Sequence, residues 1–93
     1  MIDQPPDDQQ LAIKYSHAHD WPNALFYSRL LHSSNKSSES LFLYAQALFH
    51  SLDFTSCYNL LLLVQTHTLE TGILFAKSAI QLGLIVLVFN TFI

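Results

Sequence analysis

Two stretches of this chain carry the same kinds of residue at the same offsets, 33 positions apart, and that spacing restricts the fold more than any other feature. The first reads Leu11, Ala12, Tyr15, Asp20, Trp21, Ala24; the second reads Tyr44, Ala45, Leu48, Asp53, Phe54, Cys57. The order in both is large, small, large, turn, aromatic, small. Self-similarity at a period of roughly 20–50 residues marks a supersecondary unit that buries its apolar face only by stacking on its neighbours.

A period of about 34 with this order is the signature of tetratricopeptide repeats, in which a helix A and a helix B form an αα-hairpin. Small Ala12 and Ala45 let helix A approach a neighbouring backbone, and small Ala24 and Cys57 do the same for helix B. Trp21 and Phe54 fall at the turn, where they are expected to wedge between the two helices. Asp20 and Asp53 are placed to cap the second helix with a side-chain oxygen, and Pro22 suits its first turn, where the missing N–H has no partner to lose.

Helical spacing extends the pattern along the chain. Residues 1–6 read as a polar lead-in. Asp7 with Gln10 makes a capping-box pattern for a helix to about His17. A second helix follows Trp21 to about His32, and the run from Ser33 to Ser38 reads as a loop. A third covers about 39–51, a fourth about 55–66, and a fifth starts after Thr68. The run Leu60 to Val64 is apolar on most sides, which predicts a helix buried all round. The expected fold is all-α, a short solenoid of antiparallel hairpins with about two and a half repeats in a single domain over residues 7–93.

The end of the chain departs from the repeat. Phe75, Ala76, Ala79 and Ile80 restate a helix A face, with Ala76 as its packing residue, yet the stretch from Gly83 to Ile93 has no turn Asp, no aromatic wedge and no small packing residue. Three accounts stand: a buried final helix of degenerate sequence, truncation or altered splicing, or a membrane anchor. A spanning helix needs roughly 20 apolar residues. Residues 82–93 are only twelve in all, and extension back to Gly72 brings in Lys77, Ser78 and Gln81, which disfavours the anchor.

Composition excludes several classes of function. The chain is 51% hydrophobic and 12% charged, so apolar faces covered by a protein partner are expected. Lys14, Arg29, Lys36 and Lys77 are scattered through an acidic chain, whereas a nucleic-acid surface clusters its cations. The single Cys57 precludes an intrachain disulfide and fits a reducing compartment. It has no adjacent base and reads as a packing residue, not a nucleophile. The H-x-H of His17 and His19 points to two faces of a helix and lacks further ligands, so no metal or cofactor is expected. His32, His50 and His67 read as residues near helix C-termini, where an imidazolium suits the dipole. The triplet from Asn35 to Ser37 matches a glycosylation acceptor without a secretory signal beside it, and the serines around it suit a solvated loop or a phosphate. Two glycines cannot make a phosphate loop, and no carboxylates pair, so no enzyme is expected.

Residues 24–29 (ALFYSR), 40–49 (SLFLYAQALF), the Asp53-Phe54 turn with Cys57-Tyr58, and residues 75–82 (FAKSAIQL) carry a more specific likeness. Together they resemble the N-terminal tetratricopeptide region of an anaphase-promoting complex subunit, most like the third, over about residues 9–83; the sixth and eighth subunits share the architecture. The resemblance implies a non-catalytic scaffold subunit of a nuclear ubiquitin ligase of the cell cycle. It implies that these N-terminal repeats pair two copies, while the C-terminal repeats that receive the Ile-Arg tails of activators lie outside this chain. A homodimer within a larger multi-subunit complex is then expected, in the nucleus and cytoplasm. The residues expected to carry it are Tyr15, Trp21, Leu25 and Leu31 in the first repeat and Leu41, Tyr44, Leu48, Phe54 and Leu61 in the second, with Leu25, Leu31 and Leu41 at the interface. The alternative is a peptide-binding adaptor clamping a terminal carboxylate from helix A, for which Lys14 and Gln46 are the positions available.

Overall fold

The computed structural model describes residues 7–64 and 67–83. They form five helices and, among the described residues, no strand: α1 (Asp8–His17), α2 (Trp21–Ser34), α3 (Ser38–His50), α4 (Phe54–Leu62) and α5 (Leu69–Gln81). Consecutive helices pack on one another, and α3 also touches α1 and α5, so α1, α3 and α5 form one layer of a short solenoid of tetratricopeptide type. The expectations for residues 1–6 and 84–93 lie outside the described residues.

Each member of this layer starts on a side-chain cap. Asp7 accepts the Gln10 backbone N–H at 2.8 Å while Gln10 Oε1 accepts the Asp7 N–H at 3.2 Å, a complete capping box. Ser37 and Ser40 make the same reciprocal pair, at 3.1 and 2.9 Å. Thr68 accepts from the Thr71 N–H at 3.2 Å.

The ends repeat as well. His19 and Leu52, 33 residues apart, both adopt positive φ, 56° and 66°. After α1, the N–H groups of His19 and Asp20 donate to the carbonyls of Ser16 and Tyr15; after α3, those of Leu52 and Asp53 donate to Phe49 and Leu48. Both are Schellman closures, and they turn the chain into helix B within three residues. Gly83, at φ 76°, begins the same closure after α5 by donating to Ile80.

Two buried clusters hold the stack together. Ala12, Leu31 and Leu43 join α1, α2 and α3. Leu41, Ala45, Leu48, Cys57, Leu61 and Leu74 join α3, α4 and α5, with Leu25, Tyr44 and Phe75 against them. The Cys57 thiol lies 3.4 Å from the Ala45 carbonyl oxygen, a separation that only small residues on both helices permit.

Several expectations are corrected. Helix α2 runs on to Ser34, leaving a loop of three residues, because the Ser33 and Ser34 hydroxyls donate back to Leu30 and Leu31 carbonyls and prolong the last turn. Helix α4 ends at Leu62 and, among the described residues, is not buried all round: it packs on α3 and α5, so Cys57 and Leu61 turn inward while Leu62 is 51% and Leu63, just past its end, 84% exposed. Asp20 gives no backbone cap to α2; its carboxylate accepts from the Asn23 side chain at 2.8 Å instead. Asp53 does cap α4, through the Ser56 N–H. Ala76 is exposed, and the small buried residues of α5 are Ser78 and Ala79, since among the described residues no following helix lies on the Ala76 face.

Candidate functional site

The layer of α1, α3 and α5 presents a furrow. Helices that each start on a side-chain cap lie side by side, so repeat-equivalent residues share the walls of the same hollows: Ile13 with Gln46, His17 with His50, and Glu39 with Glu70. Between α1 and α3 a hollow of about 440 Å³ is lined by Ile13, Ser16, His17, His19, Trp21, Phe42, Leu43, Gln46 and His50. It runs on through Ile13, His17, Phe42 and Leu43 into a second of about 430 Å³, which ends at Ser38, Glu39, Thr68 and Glu70. A smaller hollow of about 230 Å³ repeats the arrangement between α3 and α5, with Gln46, His50, Ile73 and Lys77 in its walls.

Aromatic rings close one end of the furrow. Trp21 stacks on His50 with ring centres 4.2 Å apart and planes within 8°, and His19 stacks near it at 5.7 Å. Trp21 therefore bridges from the first hairpin to α3, whereas the sequence reading placed it between the helices of its own hairpin. Phe54, its counterpart, does meet its own hairpin, edge-on to Phe49 at 5.1 Å. Burial holds the His50 imidazole below its ordinary pKa, with His19 and then Lys77 adding to the shift. His32 is lowered as well, by burial first and Lys36 second; its Nδ1 sits 3.2 Å from Ser40 Oγ and not at a helix carbonyl. His67 precedes α5 and stacks on Phe75 at 5.2 Å, so it is no C-terminal residue of α4.

The residues singled out in the sequence fall into three groups. Ala12, Ala24, Ala45, Cys57 and Leu61 are fully buried, and Leu48 nearly so. Tyr15, Trp21, Tyr44 and Phe54 are half-buried around them; Tyr15 stacks on Tyr27 at 5.6 Å. Leu31 and Leu41 are buried and offer no free surface, while Leu25 is half-buried and packs against the second core. The furrow residues Ile13, Ser16 and Phe42 escaped the sequence reading, which followed small residues and aromatics; the 33-residue echo of His17 in His50 was the available signal.

Burial raises the Cys57 thiol to about 11 despite a hydrogen bond with Ser78, and the Asp53 charge adds to the rise, so no thiolate forms at neutral pH. Among the described residues no group of three or more His, Cys, Asp or Glu side chains is placed to hold a metal ion, and no helix is long and apolar enough to cross a membrane.

Comparison with known proteins bears on what this face belongs to. A protein-family model described as anaphase-promoting complex, cyclosome, subunit 3 matches residues 17–85. Anaphase-promoting complex subunit 3 of Schizosaccharomyces pombe is 41% identical over 64 residues, a stretch that is 69% of this chain and 10% of that protein. The chain thus spans about a tenth of the curated relative it matches. No solved structure matches.

Proposed function

Because the chain belongs to the anaphase-promoting complex, cyclosome, subunit 3 family, we propose that it is a non-catalytic scaffold module that pairs with a second copy of itself and takes its place in the multi-subunit ubiquitin ligase of the cell cycle. It would act in the nucleus and cytoplasm, through protein contacts and without a cofactor. The observation that carries the pairing is large apolar surface left outside both cores. Phe26 and Leu30, four residues apart on α2, are 55% and 40% exposed. They lie on one helix face that no other described helix covers, and a partner helix would remove them from water. The carboxylate-clamp adaptor is the poorer reading, since Lys14 lies over the Tyr15 ring at 5.7 Å and lines none of the furrow.

Light scattering on the whole purified chain, without detergent, tests the pairing. A particle of twice 10.6 kDa, reduced to the single mass by Phe26→Glu with Leu30→Glu, is the expected result. Stable pairing of this kind buries about 1,200–2,000 Å². A single-chain mass at high micromolar concentration sinks it.

A further inference from the structure

Helices α2 and α4 both pack on α3, but their backbones do not approach each other. The gap between their C-terminal ends is a hollow of about 550 Å³, larger than either part of the furrow and on a different side of α3. Leu41 of α3 lines it. Leu60 of α4, with Leu63 and Val64 just past that helix, forms an apolar wall, and Leu63 is almost wholly exposed there.

The facing wall is polar, and its hydrogen bonds decide what it can accept. His32 and Lys36 stand on it. Ser40 Oγ accepts the Ser37 N–H at 2.9 Å and lies 2.8 Å from the Asn35 carbonyl oxygen, 3.0 Å from that of Ser37 and 3.2 Å from His32 Nδ1. A hydroxyl has one proton to give, and the carbonyl at 2.8 Å takes it. His32 Nδ1 is then the donor to Ser40, which puts the proton of the neutral ring on Nδ1 and leaves Nε2 a bare acceptor. Burial first, and Lys36 second, hold His32 below its ordinary pKa, so the ring is neutral at pH 7. Among the described residues no donor meets Nε2.

Beside this acceptor the surroundings favour an anion. Lys36 is exposed, and Ser37 and Ser38 open α3, whose N-terminus carries partial positive charge. Glu39, the next residue, lines the furrow and not this hollow.

We propose that the hollow between α2 and α4 seats a tryptophan side chain of a partner protein that carries an acidic residue beside it. The indole ring displaces water from Leu41, Leu60, Leu63 and Val64, and its N–H donates to His32 Nε2. Indole is a donor with no acceptor, so its one polar atom matches the bare nitrogen and the rest of the ring matches the apolar wall. The carboxylate lies between the Lys36 ammonium and the first turn of α3. This surface is separate from the pairing face, because His32 and Leu30 are two positions apart on α2 and point to different sides.

The probe is acetyl-Trp-Glu-amide, titrated into the isotope-labelled whole chain and followed by amide and imidazole nitrogen shifts. Two controls each remove one feature: 1-methyltryptophan in place of Trp deletes the N–H, and Gln in place of Glu deletes the charge. Shifts centred on His32, Leu41, Leu60 and Leu63 are expected at millimolar probe, with each control bound roughly threefold to tenfold more weakly. Before any probe is added, the His32 ring nitrogens should report the proton on Nδ1 at pH 7.5. Leu63→Ser and Lys36→Gln alter exposed side chains, so thermal unfolding should stay where it is while probe affinity falls severalfold. Phe26→Glu with Leu30→Glu should bind the probe as the parent does, whatever its solution mass, which keeps this result apart from the pairing. A proton on Nε2, equal binding by either control, or no shifts at millimolar probe overturns the proposal.

Discussion

Helices α3 and α5 begin on equivalent caps, Ser37 and Thr68, and both run 13 residues, so every position in one has a counterpart 31 residues later in the other. Four pairs are buried alike: Ser40 with Thr71, Leu43 with Leu74, Ala47 with Ser78, and Leu48 with Ala79. Two are not. Leu41 and Ala45 are buried, while Gly72 is half-buried and Ala76 is exposed. The shared face looks back toward the preceding hairpin, which both helices have. The unshared face needs the helix that follows, and for α3 that is α4, whose Cys57 covers the Ala45 backbone. A small residue in a repeat therefore permits close approach but does not produce it.

The comparison breaks most visibly by enlarging the two alanines. Ala45→Phe drives a ring into the α3–α4 contact, where overpacking costs about 1–3 kcal/mol or more, enough to unfold a domain this small. Ala76→Phe, on an exposed surface, should stay within about 0.5 kcal/mol of the parent. Urea unfolding of the two variants measures the gap. Equal losses would mean that the α5 face is covered after all, and equal tolerance would mean that the repeat register in α3 is wrong.

That pair of alanines also shows how much the sequence could say. The 33-residue echo located both hairpins, the cap at Asp53 and the burial of Ala12, Ala24, Ala45 and Cys57, and the capping-box pattern located the cap at Asp7, because each is fixed by spacing along the chain. Ala76 satisfies the same local pattern; whether it is covered depends on another element, which spacing cannot report. The end of α4 was misjudged for a related reason. Apolar Leu62 and Leu63 follow Leu61 in sequence, but among the described residues only one side of that helix has neighbours. The furrow was least legible, since Ile13 and Phe42 look like ordinary core residues, and Ser16 stands out only when its hydroxyl is seen buried without a hydrogen-bond partner. Trp21 obeyed the repeat in position but adds a contact beyond its own hairpin, stacking on His50 of α3 as well as on His19 of its own turn.

The closures after the two helices give a finer contrast. Leu52, C-terminal to α3, holds φ 66°, and Gly83, its counterpart after α5, holds φ 76°. The left-handed region costs a residue with a Cβ about 1–2 kcal/mol and glycine almost nothing. Leu52 is 74% exposed, so little packing is lost with its side chain. Leu52→Gly is expected to raise stability by about 1 kcal/mol, after allowing for the added freedom of the unfolded chain. Gly83→Ala should lower it by a similar amount, although nothing lies within 4 Å of the added Cβ, because the strain is in the backbone alone. A destabilised Leu52→Gly would show that the exposed leucine makes a contact outside the helix pair.

The last turn separates the helices by charge: His50 in α3 answers to Gln81 in α5. Burial, then His19, then Lys77 hold the His50 imidazole below its ordinary value of 6.5, so the folded chain favours the neutral ring. Its contribution to stability is present above pH 6.5 and is lost progressively as pH falls from there through the lowered folded value. The effect is small for a residue this open to solvent, and His32, lowered for the same leading reason, adds to it. His50→Gln, which gives α3 the residue α5 already has, should flatten part of the fall in thermal midpoint between pH 7.5 and pH 5.5. Trp21 supplies an independent reading, being the single tryptophan and stacked on His50 at 4.2 Å. A charged imidazole quenches an indole it touches, so fluorescence should drop at a pH below 6.5 in the parent and lose most of that step in His50→Gln. A step retained at full size would show that the stacked contact with His50 is not its source.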